Sequence, residues 1–336
     1  MITQCNIRAS IVAAIIFSGL MLCAPVNAQQ SRLPACPEDQ SVVWNNCFGK
    51  HIAPNGDVYV GEFKNGKYDG QGKRIRADGR EAVGEFKNDK VNGKAEVKWP
   101  GGSSYNGQLK DDMPNGQGVL IIINSENEET IYSGEFNLGK RNGQGDLTLP
   151  GGYKYVGRFY NGVFRGEGTY TCSNGQKYIG DWYDTKLYGR VEINFPDGAK
   201  YNGEWRDDKY NGQGEIFYAN KEKYIGGFKD GMYNGFGVYT WPSGQKYVGE
   251  FKYGKYNGHG TLYATDRSIL QIGIFADDKL VKKTNMKITA PTKRYNQESD
   301  ATSRVANNKF VADSNRILEC KIYEGWRHAK WASIKM

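Results

Sequence analysis

The chain predicts an all-β fold: an elongated array of antiparallel β-hairpins forming one twisted sheet, with a short C-terminal helix. Three observations carry that expectation. A unit of 23 residues recurs through the middle of the chain. Within each unit apolar and polar residues alternate, so one face of a strand is apolar and the other polar. Glycine is confined to the same region, and outside residues 49–273 only Gly19 and Gly325 occur.

The composition agrees. The 336 residues include 44 Gly and 23 Tyr but little Leu, Ile or Val, which is a poor recipe for one thick aliphatic core. Ten Pro without a Gly at every third position exclude collagen. Three His, with no Cys/His pairing at metal spacing, speak against a zinc enzyme, and neither a metal nor a cofactor is expected. The net charge of +8 is local: residues 279–336 hold 13 basic and 5 acidic residues, and the rest of the chain balances.

The first element is a leader. Arg8 precedes an apolar run from Ile11 to Cys23, and Val26-Asn27-Ala28 has the small-residue form of a cleavage site. Residues 1–28 read as a signal peptide cleaved after Ala28, which predicts export, with a bacterial periplasm as the setting. The run is too short to span a bilayer comfortably, and Leu22 before Cys23 speaks against a lipid anchor. Cleavage leaves Cys36, Cys47, Cys172 and Cys320. A Cys36–Cys47 disulfide is expected to close a cap over residues 29–48, worth roughly 2–3 kcal/mol in loop entropy. Cys172 and Cys320 either pair or stay free, and Cys172 suits a small apolar filler.

The array covers residues 49–280. Its units begin at Tyr59, Ala82, Tyr105, Tyr132, Tyr155, Tyr178, Tyr201, Tyr224 and Tyr247, and Gln271-Ile272-Gly273-Ile274-Phe275 opens a degraded tenth. Every step is 23 residues except one of 27, where an insertion near Ser125–Glu129 is expected to lengthen a surface loop. Tyr59, Gly61 and Phe63 alternate with Val60, Glu62 and Lys64, which reads as a strand. Asn65-Gly66 is a turn. The second half alternates too, and Pro-x-Gly triplets such as Pro54-Asn55-Gly56 and Pro242-Ser243-Gly244 turn the chain again. Each unit is therefore a hairpin, and successive hairpins pair as a meander. Glycine on the apolar face marks a close approach. A glycine pair opposite each ring leaves room for the ring to lie flat over the backbone.

The pattern resembles the MORN repeat family (membrane occupation and recognition nexus). Its motif, Tyr-x-Gly-x-Phe/Trp-x-x-Gly-x-x-x-Gly-x-Gly, stands nearly whole at Tyr59 to Gly72, Tyr132 to Gly145, Tyr155 to Gly168, Tyr224 to Gly237 and Tyr247 to Gly260. Departures are Ala82 for Tyr, Leu109 for the ring, and Ala95 and Val191 for the last Gly, which imply local changes of packing. The resemblance implies a hairpin array that acts as an interaction module, linking proteins or touching acidic lipids, with chemistry left to other domains.

Candidate functional residues fall into four groups. The rings of the apolar face are Tyr59, Phe63, Tyr155, Phe159, Tyr178, Trp182, Trp205, Tyr224, Phe228, Tyr247 and Phe251; any that are exposed are candidates for binding a partner, although most must pack between hairpins. Arg74 and Arg76 occupy slots filled elsewhere by Tyr239 and Trp241. Ala82 makes room for their stems, so they either bind an anion or a partner carboxylate or pair with acidic residues nearby. Glu62, Glu85, Glu135, Glu204 and Glu250 recur at one position, too far apart to share a metal, and read as a solvated face paired across strands. Finally, residues 281–315 read as a flexible linker and 316–336 as a basic amphipathic helix carrying Arg316, Lys321, Trp326, Arg327, Lys330 and Trp331. That helix either docks on the repeats or contacts an acidic membrane. His51, His259 and His328 lack a patterned acid or nucleophile, so no catalytic residues are assigned. The expected function is an exported, non-enzymatic scaffold that binds a protein partner and not nucleic acid. The alternatives are a peripheral membrane module acting through the basic tail and a cell-wall glycan binder.

Overall fold

The computed structural model describes residues 31–39 and 41–285. The predicted leader, the C-terminal helix and nearly all of the predicted linker lie outside the described residues. Within them, sequence dictates two turns per unit. Asn65 and Gly66 both take positive φ, the requirement of a two-residue hairpin turn that follows the twist of its strands. The same pairing of left-handed residues recurs through Asn88-Asp89, Asp207-Asp208 and Asp277-Asp278. At the opposite margin Gly56 N–H donates to Ala53 O, and Gly56 takes the positive φ that lets the chain return to its strand.

The strands between these turns alternate in length. β2 (Val58–Lys64) has seven residues and β3 (Lys67–Ile75) has nine, and most later pairs repeat that difference. Each strand pairs antiparallel with the next, from β1 (Cys47–Ile52) to β21 (Lys279–Lys283), in a single 21-stranded sheet. The all-β fold expected from the repeat is the fold observed. The sheet runs slightly past the expected limits of the array, to Cys47 at one end and Lys283 at the other.

The 27-residue unit corrects one expectation. Its turn, Asn124 to Glu128, is no longer than those elsewhere. The added residues instead lengthen both strands, β7 (Met113–Ile123) and β8 (Glu129–Asn137), and Ile122↔Thr130 and Ile123↔Glu129 form two extra rungs. Two of these four residues are Ile and one is Thr, types that favour a strand over a loop.

No second layer covers the sheet among the described residues, yet its rings are buried. Tyr59, Tyr105, Tyr155, Tyr201, Tyr224 and Tyr247 each have zero exposure. The cap closes the first end as expected: Cys36 and Cys47 are disulfide-bonded, Ala35 bridges Phe48, and the Trp44 ring meets Phe63 edge-on at 4.8 Å.

Candidate interaction surface

Each regular unit builds a ring pocket from its own backbone. A β-carbon added at Gly226 would lie 2.5 Å from the Tyr224 hydroxyl oxygen, and one added at Gly237 would lie 2.5 Å from its ring. Tyr224 therefore lies flat on a paired Gly226–Gly237 step, a contact no side chain permits. Its hydroxyl donates to Gly227 O at 2.8 Å, three residues along its own strand. Tyr59, Tyr105, Tyr132, Tyr155, Tyr201 and Tyr247 make the same bond to the carbonyls of Glu62, Gln108, Glu135, Arg158, Glu204 and Glu250. Burial pushes these phenols above their ordinary value.

A second ring closes the sandwich from above. Tyr233 stacks on Tyr224 at 3.8 Å, Tyr68 on Tyr59 at 3.8 Å and Phe164 on Tyr155 at 3.6 Å. The Phe or Trp of the same strand and that of the next unit then meet the tyrosine edge-on, as Phe228 and Phe251 do at 5.1 and 5.0 Å. Edge-on and offset-stacked geometries are the favourable ones for rings. In one unit Arg141 replaces the stacking ring. Its guanidinium lies 5.6 Å from the Tyr132 ring centre and 5.4 Å from that of Phe159, and burial lowers its pKa to about 10.

This packing settles where the sequence candidates sit. Tyr155, Phe159, Trp182, Trp205, Tyr224, Phe228, Tyr247 and Phe251 are all 4% exposed or less, so their faces are spent on one another. Tyr160, Tyr183, Tyr188 and Tyr253 are exposed, and a second set of apolar side chains is half-buried. Trp99, Ile122, Phe195, Tyr218 and Trp241 each stand two residues beyond the partner of the next unit's tyrosine, and are half-buried against the core. The sequence pattern places Trp99, Phe195 and Trp241 in one apolar slot with Leu149 and Cys172, but alternation alone could not rank that slot above the tyrosine slot for exposure.

The glutamates serve the backbone. Each hairpin carries a bulge between its Gly and its ring, as between Gly203 and Trp205. There Glu204 accepts the Gln213 N–H at 2.9 Å, and Glu62 and Glu135 accept those of Gln71 and Gln144. Gln108 takes the same role toward Gln117 N–H, so a neutral amide suffices. On that face His259 Nδ1 lies 3.5 Å from the Glu250 carboxylate.

Arg74 is nearly buried. It donates to Asp112 Oδ1 and to Asp89 O, both at 3.1 Å, and lies 5.6 Å from the Phe86 ring centre. It sits opposite Ala82, and with Arg76, Arg80, Glu81 and Val97 these residues line a shallow recess. Burial, then the nearby Arg74 and Arg80 charges, lower the Arg76 pKa. Asp112 is thus the described partner of Arg74, while Arg76 faces a recess with two other guanidinium groups. Arg316, Lys321, Trp326, Arg327, Lys330 and Trp331 lie outside the described residues. Among the described residues, no cluster of three or more His, Cys, Asp or Glu is placed to hold a metal, and no helix is long and apolar enough to cross a membrane.

One unit departs from the rest. Opposite Gly180 stands Val191, and a β-carbon added at Gly180 would meet Leu187 and Val191, not a tyrosine. The Tyr178 ring is displaced, and its hydroxyl accepts from Gln176 Nε2 at 2.7 Å. The neighbouring Cys172 is not a free filler: it is disulfide-bonded, with a partner outside the described residues.

The TCP10 domain of Danio rerio CPAP, solved with a peptide of Danio rerio STIL, aligns at 13% identity and a TM-score of 0.33, over 67% of this chain and 98% of that one. The SAS-4 (dCPAP) TCP domain of Drosophila melanogaster, solved with a proline-rich motif of Ana2, aligns at 15% identity and a TM-score of 0.29, over 48% of this chain and 89% of that one. No curated protein sequence matches. The MORN repeat family model matches eight times, at residues 59–79, 83–104, 105–124, 132–152, 155–177, 201–223, 224–246 and 247–268, passing over the unit of Tyr178. With more than half of its residues matched, the chain belongs to the MORN repeat family.

Proposed function

We propose that this protein is an exported, non-enzymatic scaffold whose repeat array binds a protein partner. The observation that carries the reading is the row formed by Trp99, Ile122, Phe195, Tyr218 and Trp241, half-buried and repeated at one position per unit. Trp99 and Ile122 stand two strand spacings apart, about 10 Å, as do Phe195, Tyr218 and Trp241 in turn, while buried Leu149 and Cys172 hold the slot between the two groups. A regular line of apolar anchors on a rigid sheet suits an extended or helical segment of another protein, with rings as the anchors. Export is supported by the Cys36–Cys47 disulfide and by the bonded state of Cys172, since disulfides persist in oxidising compartments.

The test is a displayed peptide library selected against residues 29–336. Selected peptides are then titrated against the parent protein and the Trp241→Ser and Phe195→Ser variants, with circular dichroism to check each fold. Affinity weakened tenfold or more by either substitution supports the reading. Peptides that bind parent and both variants equally remove this row as the binding surface.

A further inference from the structure

We propose that the margin between Cys172 and Glu222 is the docking site of this chain's own residues 316–336, held there by a Cys172–Cys320 disulfide. The inference deepens the binding reading and rests on it for its consequence: the segment occupies part of the row that a protein partner would use.

The pairing follows from arithmetic on the cysteines. Cys172 is disulfide-bonded, and Cys36 and Cys47 already bond each other. Cys5, Cys23 and Cys320 remain. Ser31 is tied to Glu62 in β2, so Cys23 has roughly eight residues, about 28 Å fully extended, with which to leave that strand. Cys172 follows β11 (Val163–Thr171), nine strand spacings and about 43 Å along the sheet from β2. Cys23 falls short. Cys5 lies in the leader predicted to be removed. Cys320 stands roughly 37 residues beyond Lys283, a reach of about 120 Å, against about 48 Å back along the sheet to Cys172.

Burial marks where the segment lies. The residue two before each unit's tyrosine occupies one slot at the turn margin. Asp57, Arg80, Ser103, Tyr153 and Gln245 are half-buried there, and Ile269, two before Gln271, is exposed. Three consecutive members, Gln176, Ala199 and Glu222, are only 2%, 3% and 4% exposed. Gln176 and Gln245 are the same residue in the same slot, so side-chain type does not explain the difference. The three slots span about 19 Å, four strand spacings. A helix of 21 residues is about 31 Å long and covers all three.

The charges agree. Glu222 is a buried carboxylate whose described side-chain partner is the Tyr239 hydroxyl, and a buried carboxylate favours a cation beside it. On a helix, Lys335 stands about 22 Å from Cys320, close to the five strand spacings, about 24 Å, between Cys172 and Glu222. Leu318, Ile322, Trp326 and Ala329 supply an apolar stripe for the margin. Forming the bond removes two protons and two electrons from the two thiols. A disulfide-donating protein of the oxidising compartment accepts them by thiol–disulfide exchange and becomes a dithiol.

The experiment maps peptides of the mature full chain without reduction. The Cys172 peptide is expected to be joined to the Cys320 peptide of the same molecule. A free Cys172 thiol, or a bond to Cys5, Cys23 or a second copy, overturns the proposal. A photo-crosslinking amino acid in place of Trp326 then reads position, and its adducts are expected within residues 172–222. The Cys320→Ser variant, which alters no array residue, is expected to lower that yield at least fivefold. Adducts elsewhere on the array, or an unchanged yield, overturn the docking. Neither readout uses a partner, so failure here is separate from failure of the binding reading; if both hold, selected peptides are expected to bind Cys320→Ser at least tenfold more tightly than the parent.

Discussion

The units of Tyr224 and Tyr178 start from nearly the same residues and end differently. At Tyr224 the opposing pair is Gly226–Gly237, the ring lies flat, Tyr233 covers it and the hydroxyl is satisfied within its own strand. At Tyr178 the opposing residue is Val191, Leu187 takes the covering position, and the hydroxyl turns to Gln176. One side chain on the partner strand decides the pose of a ring three bonds away from any backbone change. The unit of Ala82 shows a third solution: with Ala95 opposite Gly84, alanine stands where no ring would fit. The Tyr178 unit is also the one that lies between Cys172 and Ala199, so the array is least regular where its margin is most covered.

The largest test strikes both poses together. The buried phenols have folded pKa values raised above about 10, by burial first, so they stabilise the neutral, folded form fully below that pH. Stability is lost as pH rises past the unfolded value toward the folded one. Far-ultraviolet circular dichroism and phenolate absorbance followed together above pH 10 are expected to change in one cooperative step. Phenolate appearing while the sheet stays intact would count against the sandwich.

Next comes Gly237→Ala, which places a methyl inside the Tyr224 ring contact. The ring must leave its slot, and a loss of about 3 kcal/mol is expected by urea denaturation, at the upper end for overpacking. A loss below about 1 kcal/mol would show that the flat pose is dispensable. Val191→Gly makes the opposite change. It is expected to return the Tyr178 hydroxyl to the Asp181 carbonyl, visible in a crystal structure, while costing about 1–2 kcal/mol through the lost buried side chain. An unmoved ring would break the argument from the opposing residue. The smallest effect is expected at the bulge: Glu204→Ala should cost about 1 kcal/mol in a thermal melt and Glu204→Gln close to nothing, because Gln108 already does this work. Equal losses for both would point to the charge.

Much of this was legible beforehand, for physical reasons. Period-two alternation and fixed spacing fixed the hairpins, and glycine opposite aromatic predicted the flat rings. The exposure of those rings was not legible. Alternation separates the two faces of a sheet but cannot tell a ring covered by its neighbour from one facing solvent, and that depends on residues nine positions away, such as Tyr68 over Tyr59. The insertion was misread as loop because four additional residues look alike in a turn or a strand until their β-branched character is weighed. The glutamate row is solvated as read, with Glu85, Glu204 and Glu250 exposed, but its bonds to the N–H groups at the bulges leave no mark in the pattern.

The 27-residue unit holds one last lesson. Its added residues divide two to a strand, so Tyr132 still faces the rings and the turn keeps its form. An odd addition on either strand would send every following side chain to the wrong side. Descent of such a chain is therefore governed by a grammar of length. Within a hairpin, a change of length keeps the ring face only when each strand gains or loses an even number of residues.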